Sequence, residues 1–277
     1  MDNPDPKPAP TVMEAEQPKK PAARSGGFWE TARIVVEALL IALVIRTFLF
    51  QPFNIPSGSL IPTLLIGDYL FVSKYSYGIS KFSFPRSFDL LGGNTPLPDV
   101  PITGRIFGAE PKRGDIAVFK LPKDGETDYI KRVIGLPGDR IQVLDGRLRI
   151  NGKPVDKVAD GFLENKDAFG RMVRVPRYKE TLPNGVTYTV IERGGDRDYW
   201  DNTVEYLVPP NHYFMMGDNR DNSTDSRDLQ AVGYVPYENF VGRAEIIFFS
   251  IAEGVPGWQI WRWPTDVRWE RLFTKIK

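Results

Sequence analysis

The sequence predicts a mainly β fold: an antiparallel sheet domain with a smaller β subdomain inserted into it, preceded by a single amino-terminal transmembrane helix. Three observations predict it. One apolar run near the amino terminus has helical length, the hydrophobic period after that run falls to two, and turn dipeptides punctuate the rest of the chain with no further long helical period.

In chain order, residues 1–27 carry six prolines among Lys, Glu and Ala and show no apolar period, which predicts a disordered tail. From Ile34 to Phe50, 14 of 17 residues are apolar, and Pro52 supplies a stop. Seventeen helical residues rise about 25 Å against a hydrocarbon core of roughly 30 Å, so a span must borrow from Phe28 to Arg33 or thin the bilayer. Residues 28–50 are therefore expected to be a permanent anchor; the run starts late and lacks a small-x-small site before Pro52, unlike a removed signal peptide. Lys19, Lys20, Arg24 and Arg33 precede the run and Arg46 is the one cation soon after Ile45. The positive-inside rule then keeps the amino terminus cytoplasmic and exports residues 54–277.

Within the exported part, Arg140 to Val155 gives the clearest pattern: Asp145-Gly146 joins two alternating strands and Asn151-Gly152 starts another tight turn. Further strands are expected at Ile116–Phe119, Tyr129–Ile134, Thr187–Glu192, Tyr213–Met216 and Arg243–Ser250. Residues 82–111, rich in Phe, Pro and Gly, read as a long loop or hairpin. Residues 153–205, more polar than their flanks, read as the inserted subdomain.

Composition excludes several functions. The 277 residues carry 36 Lys plus Arg against 35 Asp plus Glu, without the cationic excess that a nucleic-acid partner requires. The absence of cysteine removes disulfides, a thiol nucleophile and Cys-ligated metals, and the single histidine, His212, removes a multi-histidine metal site. No cofactor and no metal are expected.

Three segments carry polar groups suited to chemistry, and each admits a plain reading. Pro56-Ser57-Gly58-Ser59-Leu60-Ile61-Pro62 is either an ordinary Ser/Gly/Pro loop or a stiff segment presenting a serine where glycine lets another chain approach. On a strand over Asp128–Gly135, Lys131 shares a face with Tyr129 and Val133. It is either a strand-edge lysine reaching water or a desolvated amine. Reaching neutrality near pH 7 requires a fall of about three pKa units, roughly 4 kcal/mol of differential environment. The loop Met216 to Arg227 is dense in Asp, Asn and Ser, and its plain reading is a self-ordered turn clamped by Arg220 or Arg227. As a calcium loop counted from Asp218 it fails, with Arg220, Ser223 and Leu229 at positions that need an oxygen ligand, Gly and Glu. No Gly-x-Ser-x-Gly elbow exists, and no serine is followed three residues later by lysine.

Taken in order, PSGSLIPTLLIGD at 56–68, RGDIAVFK at 113–120, DYIKRVIGLPGD at 128–139 and GDNRDNSTDSR at 217–227 resemble the bacterial type I signal peptidases, or leader peptidases. The resemblance implies a membrane-bound serine endopeptidase with a β catalytic domain. Such an enzyme removes signal peptides from secreted and membrane preproteins after an Ala-x-Ala-like site. It makes Ser59 the nucleophile and Lys131 the general base. The Ser57 hydroxyl and the Ser59 N–H then form the oxyanion hole, Ser223 orients the Lys131 amine, and Asp225 with Arg227 forms a supporting ion pair. Arg132, Asp218 and Arg220 fall in the matching motifs. The implied location is the bacterial inner membrane, single-pass, with the catalytic domain on the periplasmic side and lipid as a second partner. Ser59 lies fourteen residues beyond Ile45, which keeps it near the membrane surface. Leu60 stands where many relatives carry Met, and one span replaces the two found in many. The motifs leave out the Trp-rich end, Trp258, Trp261, Trp263 and Trp269, which reads either as a headgroup-level belt or as a packed terminal segment. The competing function is a membrane-tethered β module that binds exported polypeptides without cutting them.

Overall fold

Asp145 and Gly146 both take positive φ, 48° and 65°, which is the hairpin turn whose twist matches that of the flanking strands. It joins Arg140–Leu144 to Arg147–Ile150, and Asn151-Gly152 turns the chain again in the same way. The structure is a computed structural model that describes residues 27–84, 87–90, 93–96, 100–166, 171–193 and 199–277. The expected tail up to residue 26, with Lys19, Lys20 and Arg24, lies outside the described residues.

The chain divides into two compact units, residues up to Ile41 and Ala42–Lys277. The helix Phe28–Val44 begins in the first and buries none of its residues; Arg33 and Glu37, one turn apart, pair on its surface at 2.7 Å. A π-helical turn, Ile45–Leu49, follows it. Among the described residues, no helix is long and apolar enough to cross a membrane.

The second unit is mainly antiparallel β. Its principal sheet has eight strands, in the order Phe50–Asn54, Asp68–Ser73, Phe240–Ser250, Ile116–Lys120, Asp128–Gly135, His212–Met216 and Val235–Pro236, with Thr274–Lys275 added to Phe240–Ser250. Pro52, expected to end the helix, lies in the edge strand Phe50–Asn54, where its missing N–H costs no ladder bond. Asp156–Lys166, Met172–Thr181 and Thr187–Ile191 form a separate three-stranded sheet. The first two of these carry too many charges and bulges for their alternation to be visible in the sequence. Part of the Phe-, Pro- and Gly-rich 82–111 stretch is a hairpin, Ser87–Leu90 with Gly93–Pro96.

Apolar side chains gather on both faces of the principal sheet. Leu60, Leu64, Leu70, Val72, Ile116 and Val118 form one cluster, which holds the Ser59 segment from beneath. Ile134, Ile141, Leu148, Val190 and Phe214 form another, joining the principal sheet to the strands between residues 140 and 191. Val133, Phe119, Tyr213 and Phe240 pack on the opposite face. In the Trp-rich end, Trp263 packs on Phe249, Val255 and Val267, whereas Trp258, Trp261 and Trp269 are exposed.

Candidate active site

The strand Asp128–Gly135 is interior to the sheet, between Ile116–Lys120 and His212–Met216, so from Lys131 onward its side chains are buried on both faces. Lys131 is 4% exposed and Ser59 7% exposed. The Lys131 Nζ lies 2.7 Å from the Ser59 Oγ, 3.2 Å from the Ile130 carbonyl oxygen, and 5.3 Å from the centre of the Tyr129 ring. Burial, partly offset by the fields of Asp225 and Asp218, lowers this amine from an ordinary 10.5 to about 8. The desolvated alternative for Lys131 is therefore the one that the fold adopts.

Ser59 sits in the loop between the strands Phe50–Asn54 and Asp68–Ser73. The loop is closed at its base by Ile55 N–H to Asp68 O at 2.8 Å, and tightened inside by Leu64 N–H to Leu60 O at 3.0 Å. Its outer side is held by the polar loop that leaves His212–Met216, the strand next to that of Lys131. Asn219 donates its backbone N–H to Ser59 O at 3.0 Å and its side-chain amide to Gly58 O at 2.9 Å. Thr63 donates its hydroxyl to Asp218 at 2.5 Å. Gly217 is required by this close approach: a Cβ there would stand 2.5 Å from the Ser59 carbonyl oxygen and collide with the Ser223 hydroxyl.

Three buried ion pairs hold the polar loop. Arg132, fully buried beside Lys131, forks onto Asp218 at 2.8 and 2.7 Å and stacks on the Tyr188 ring at 4.2 Å. Arg227 forks onto Asp225 at 2.9 Å through each nitrogen, and Gly217 N–H adds a third bond to that carboxylate. Burial alone would raise the Asp225 carboxyl; the Arg227 guanidinium outweighs it and holds the group below the ordinary carboxylate range. Arg220 pairs with Glu180, and Tyr188 donates to the same carboxylate at 2.7 Å. Each guanidinium is a planar fork matched to a carboxylate, which suits a burial that a solvated lysine would resist.

The structure thus brings Ser59, Lys131, Arg132, Asp218, Asp225 and Arg227 to one place. Ser57 is exposed, and among the described residues no acceptor takes its hydroxyl or the Ser59 N–H. Ser223 departs from expectation. Its hydroxyl is buried behind Gly217 on the side of the Asp225 carboxylate, which it helps to hold ionised, and the bonds of the Lys131 amine go to Ser59 and Ile130, so the expected Ser223–Lys131 bond is not formed. Sequence reasoning gave no role to Thr63, Asn219 or Gly217, although all lie in the motifs, and it missed Glu180 and Tyr188. No local pattern marks those two, because their partner Arg220 is 40 and 32 residues away. The chemical capacity of the arrangement is a serine hydroxyl facing an amine that is neutral at mildly alkaline pH, beside two unclaimed donors.

Comparison with known proteins shows the family of the chain. The sequence matches the family described as signal peptidase, peptidase S26, over residues 28–249. It is 41% identical over 244 residues to the signal peptidase I of Rickettsia typhi, covering 86% of this chain and 84% of that protein. It is 39% identical to the corresponding protein of Rickettsia akari, covering 90% and 86%. Among solved structures, a signal peptidase I from Enterococcus faecalis V583 aligns with a TM-score of 0.28 at 27% identity, over 49% of this chain and 97% of that one.

Proposed function

The chain belongs to the signal peptidase family, peptidase S26, and from that membership we propose that it cleaves signal peptides from exported preproteins with Ser59 as nucleophile and Lys131 as general base. The observation that carries the dyad is the 2.7 Å contact between a buried serine hydroxyl and a buried amine of depressed pKa.

In the reaction, the neutral Lys131 amine takes the Ser59 proton as Oγ bonds to the scissile carbonyl carbon. The Ser59 N–H and the Ser57 hydroxyl donate to the resulting oxyanion. Collapse of the tetrahedral centre breaks the C–N bond, and the Lys131 ammonium passes its proton to the leaving amine of the mature protein. Water then attacks the acyl ester, giving its proton to Lys131. The ester C–O bond breaks, the proton returns to Ser59, and the signal peptide leaves as a carboxylic acid. Arg132–Asp218 and Arg227–Asp225 hold both reacting groups in place.

The apolar segment from Phe28 through Leu49 attaches the chain to the bacterial inner membrane in this proposal. Its support is a run of exposed apolar side chains, Ile34, Leu39, Leu40, Ile41 and Leu43 among them, with the charged groups of the helix, Glu30, Arg33 and Glu37, all before Leu39. The charge asymmetry places the amino terminus in the cytoplasm and residues 54–277 outside. Residues 153–205 serve as a subdomain that braces the loop over 217–227 through the Glu180–Arg220 pair.

The detergent-solubilised protein, incubated with a secreted precursor bearing an Ala-x-Ala site, is expected to release mature product, and its folded Ser59→Ala variant none. Equal product from both would remove Ser59 from the mechanism; precursor bound by both and cut by neither would favour the non-cleaving tether.

A further inference from the structure

The matched family segment stops at residue 249, yet the chain beyond it returns to the loop that carries Ser59. Arg271 forks onto Asp68, Nε to one carboxylate oxygen at 3.1 Å and a terminal nitrogen to the other at 2.5 Å. The same terminal nitrogen donates to the Thr63 carbonyl oxygen at 3.0 Å. Asp68 is fully buried at the base of the loop, where it also accepts from Leu65 N–H at 2.8 Å and from the Ser250 hydroxyl at 2.6 Å. Arg268 adds a bond to the Ile66 carbonyl at 3.0 Å.

Thr63 is therefore held from two sides. Its hydroxyl is bonded to Asp218, the partner of Arg132 beside Lys131, and its carbonyl to Arg271. One side ties the loop to the lysine strand, and the other ties it to the carboxy-terminal segment. A backbone carbonyl gripped by a guanidinium that is itself locked on a buried carboxylate has little freedom. Ser59 is four residues away, within the same closed loop.

We infer that Arg271 is a positioning residue of the active site: by clamping Thr63 and Asp68 it fixes the serine loop, and so sets the approach of the Ser59 hydroxyl to the Lys131 amine. The inference rests on the Ser59–Lys131 reading. It assigns to the segment beyond the family match a part in the rate of the reaction, separate from any part in substrate binding.

The test compares full-length Arg271→Met with a Leu148→Ala control, which opens the fully buried core of another cluster and lowers stability without touching the loop. Both are assayed about ten degrees below their own unfolding midpoints. Arg271→Met is expected to lose about tenfold or more in kcat with KM within about twofold of the parent, because misplacement of a reacting group acts on the chemical step. Leu148→Ala is expected to keep the parental kcat. Adding Asp68→Asn to Arg271→Met removes the buried charge that Arg268, at 3.7 Å, would offset only in part, but leaves the Thr63 carbonyl unheld, and the double variant is expected to stay slow. Parental kcat in Arg271→Met, an equal loss in the control, or recovery in the double variant overturns the inference. If Arg271→Met does not fold, Arg271→Lys takes its place. A point-like ammonium lacks the two separated nitrogens by which Arg271 reaches both Asp68 oxygens and the Thr63 carbonyl, so a parental kcat there is equally fatal. Product from Ser59→Ala in the same assay would instead sink the dyad itself.

Discussion

Lys131 shows how a side chain acquires its chemistry from its surroundings. Its amine is buried among a serine, a backbone carbonyl and an aromatic ring, and burial is the largest influence on its proton affinity. Below pH 8 the amine is mostly protonated and cannot accept the Ser59 proton. The free-enzyme kcat/KM is therefore expected to rise about tenfold per pH unit up to about 8 and to level off above it. A profile flat from pH 6 to 9 would contradict a lysine base. Lys131→Met keeps the stem and removes the amine, and cleavage is expected to fall by about 10²- to 10⁴-fold or more while the fold persists. Arg132 is different in kind. Arg132→Met leaves Asp218 charged and without its fork in a buried site, and the expected cost is about 3–5 kcal/mol of stability, readable by urea unfolding.

Two loops meet at the edge of one strand pair to make the site. The serine loop brings its backbone carbonyls, and the loop over 217–227 brings the donors of Asn219 and the carboxylate of Asp218. Gly217 lets them touch. In Gly217→Ala the new methyl would stand 2.5 Å from the Ser59 carbonyl, so one loop must withdraw. The expected result is a loss of about 1–3 kcal/mol in stability and a drop of about tenfold or more in kcat. Normal kcat with lowered stability would show that the loops yield away from Ser59. The motifs were legible because these loops are built from Ser, Asp, Asn, Gly and Arg at fixed spacing. The strands of the three-stranded sheet were not, since Asp156–Lys166 and Met172–Thr181 alternate poorly and are joined by a register shift.

Two lysines in the folded chain release their protons early, and this sets a pH dependence of stability. Lys74 is 3% exposed and donates to the Ser83 carbonyl at 2.6 Å; burial, then the field of Arg46, lowers it to about 8, as burial does for Lys131. Unfolded, both titrate near 10.5. Between those values the unfolded chain holds the protons that the folded chain has lost, so the contribution of each to stability increases with pH. Tyr77 and Tyr188 act oppositely, because burial raises them above 10 and the folded chain keeps their protons longer, so the window is pH 8 to 10. The urea midpoint is expected to rise less across that window in Lys74→Met than in the parent. Equal slopes would show that Lys74 titrates normally.

The residues proposed to do the chemistry could be named from the chain through the resemblance its motifs carry, and the antiparallel β class and the apolar segment before it could be read from its pattern. Motifs, alternation and turn dipeptides are local patterns, and local patterns survive in one dimension. Folding settled which reading of each held. Only an interior strand makes Lys131 a desolvated amine in place of a solvated cation, and only loop contact turns Ser223 away from it and places Asn219 and Thr63 around Ser59. Glu180, Tyr188 and Arg271 were invisible for the same reason: each meets its partner across tens to hundreds of residues, and a contact of that separation leaves no periodicity to read.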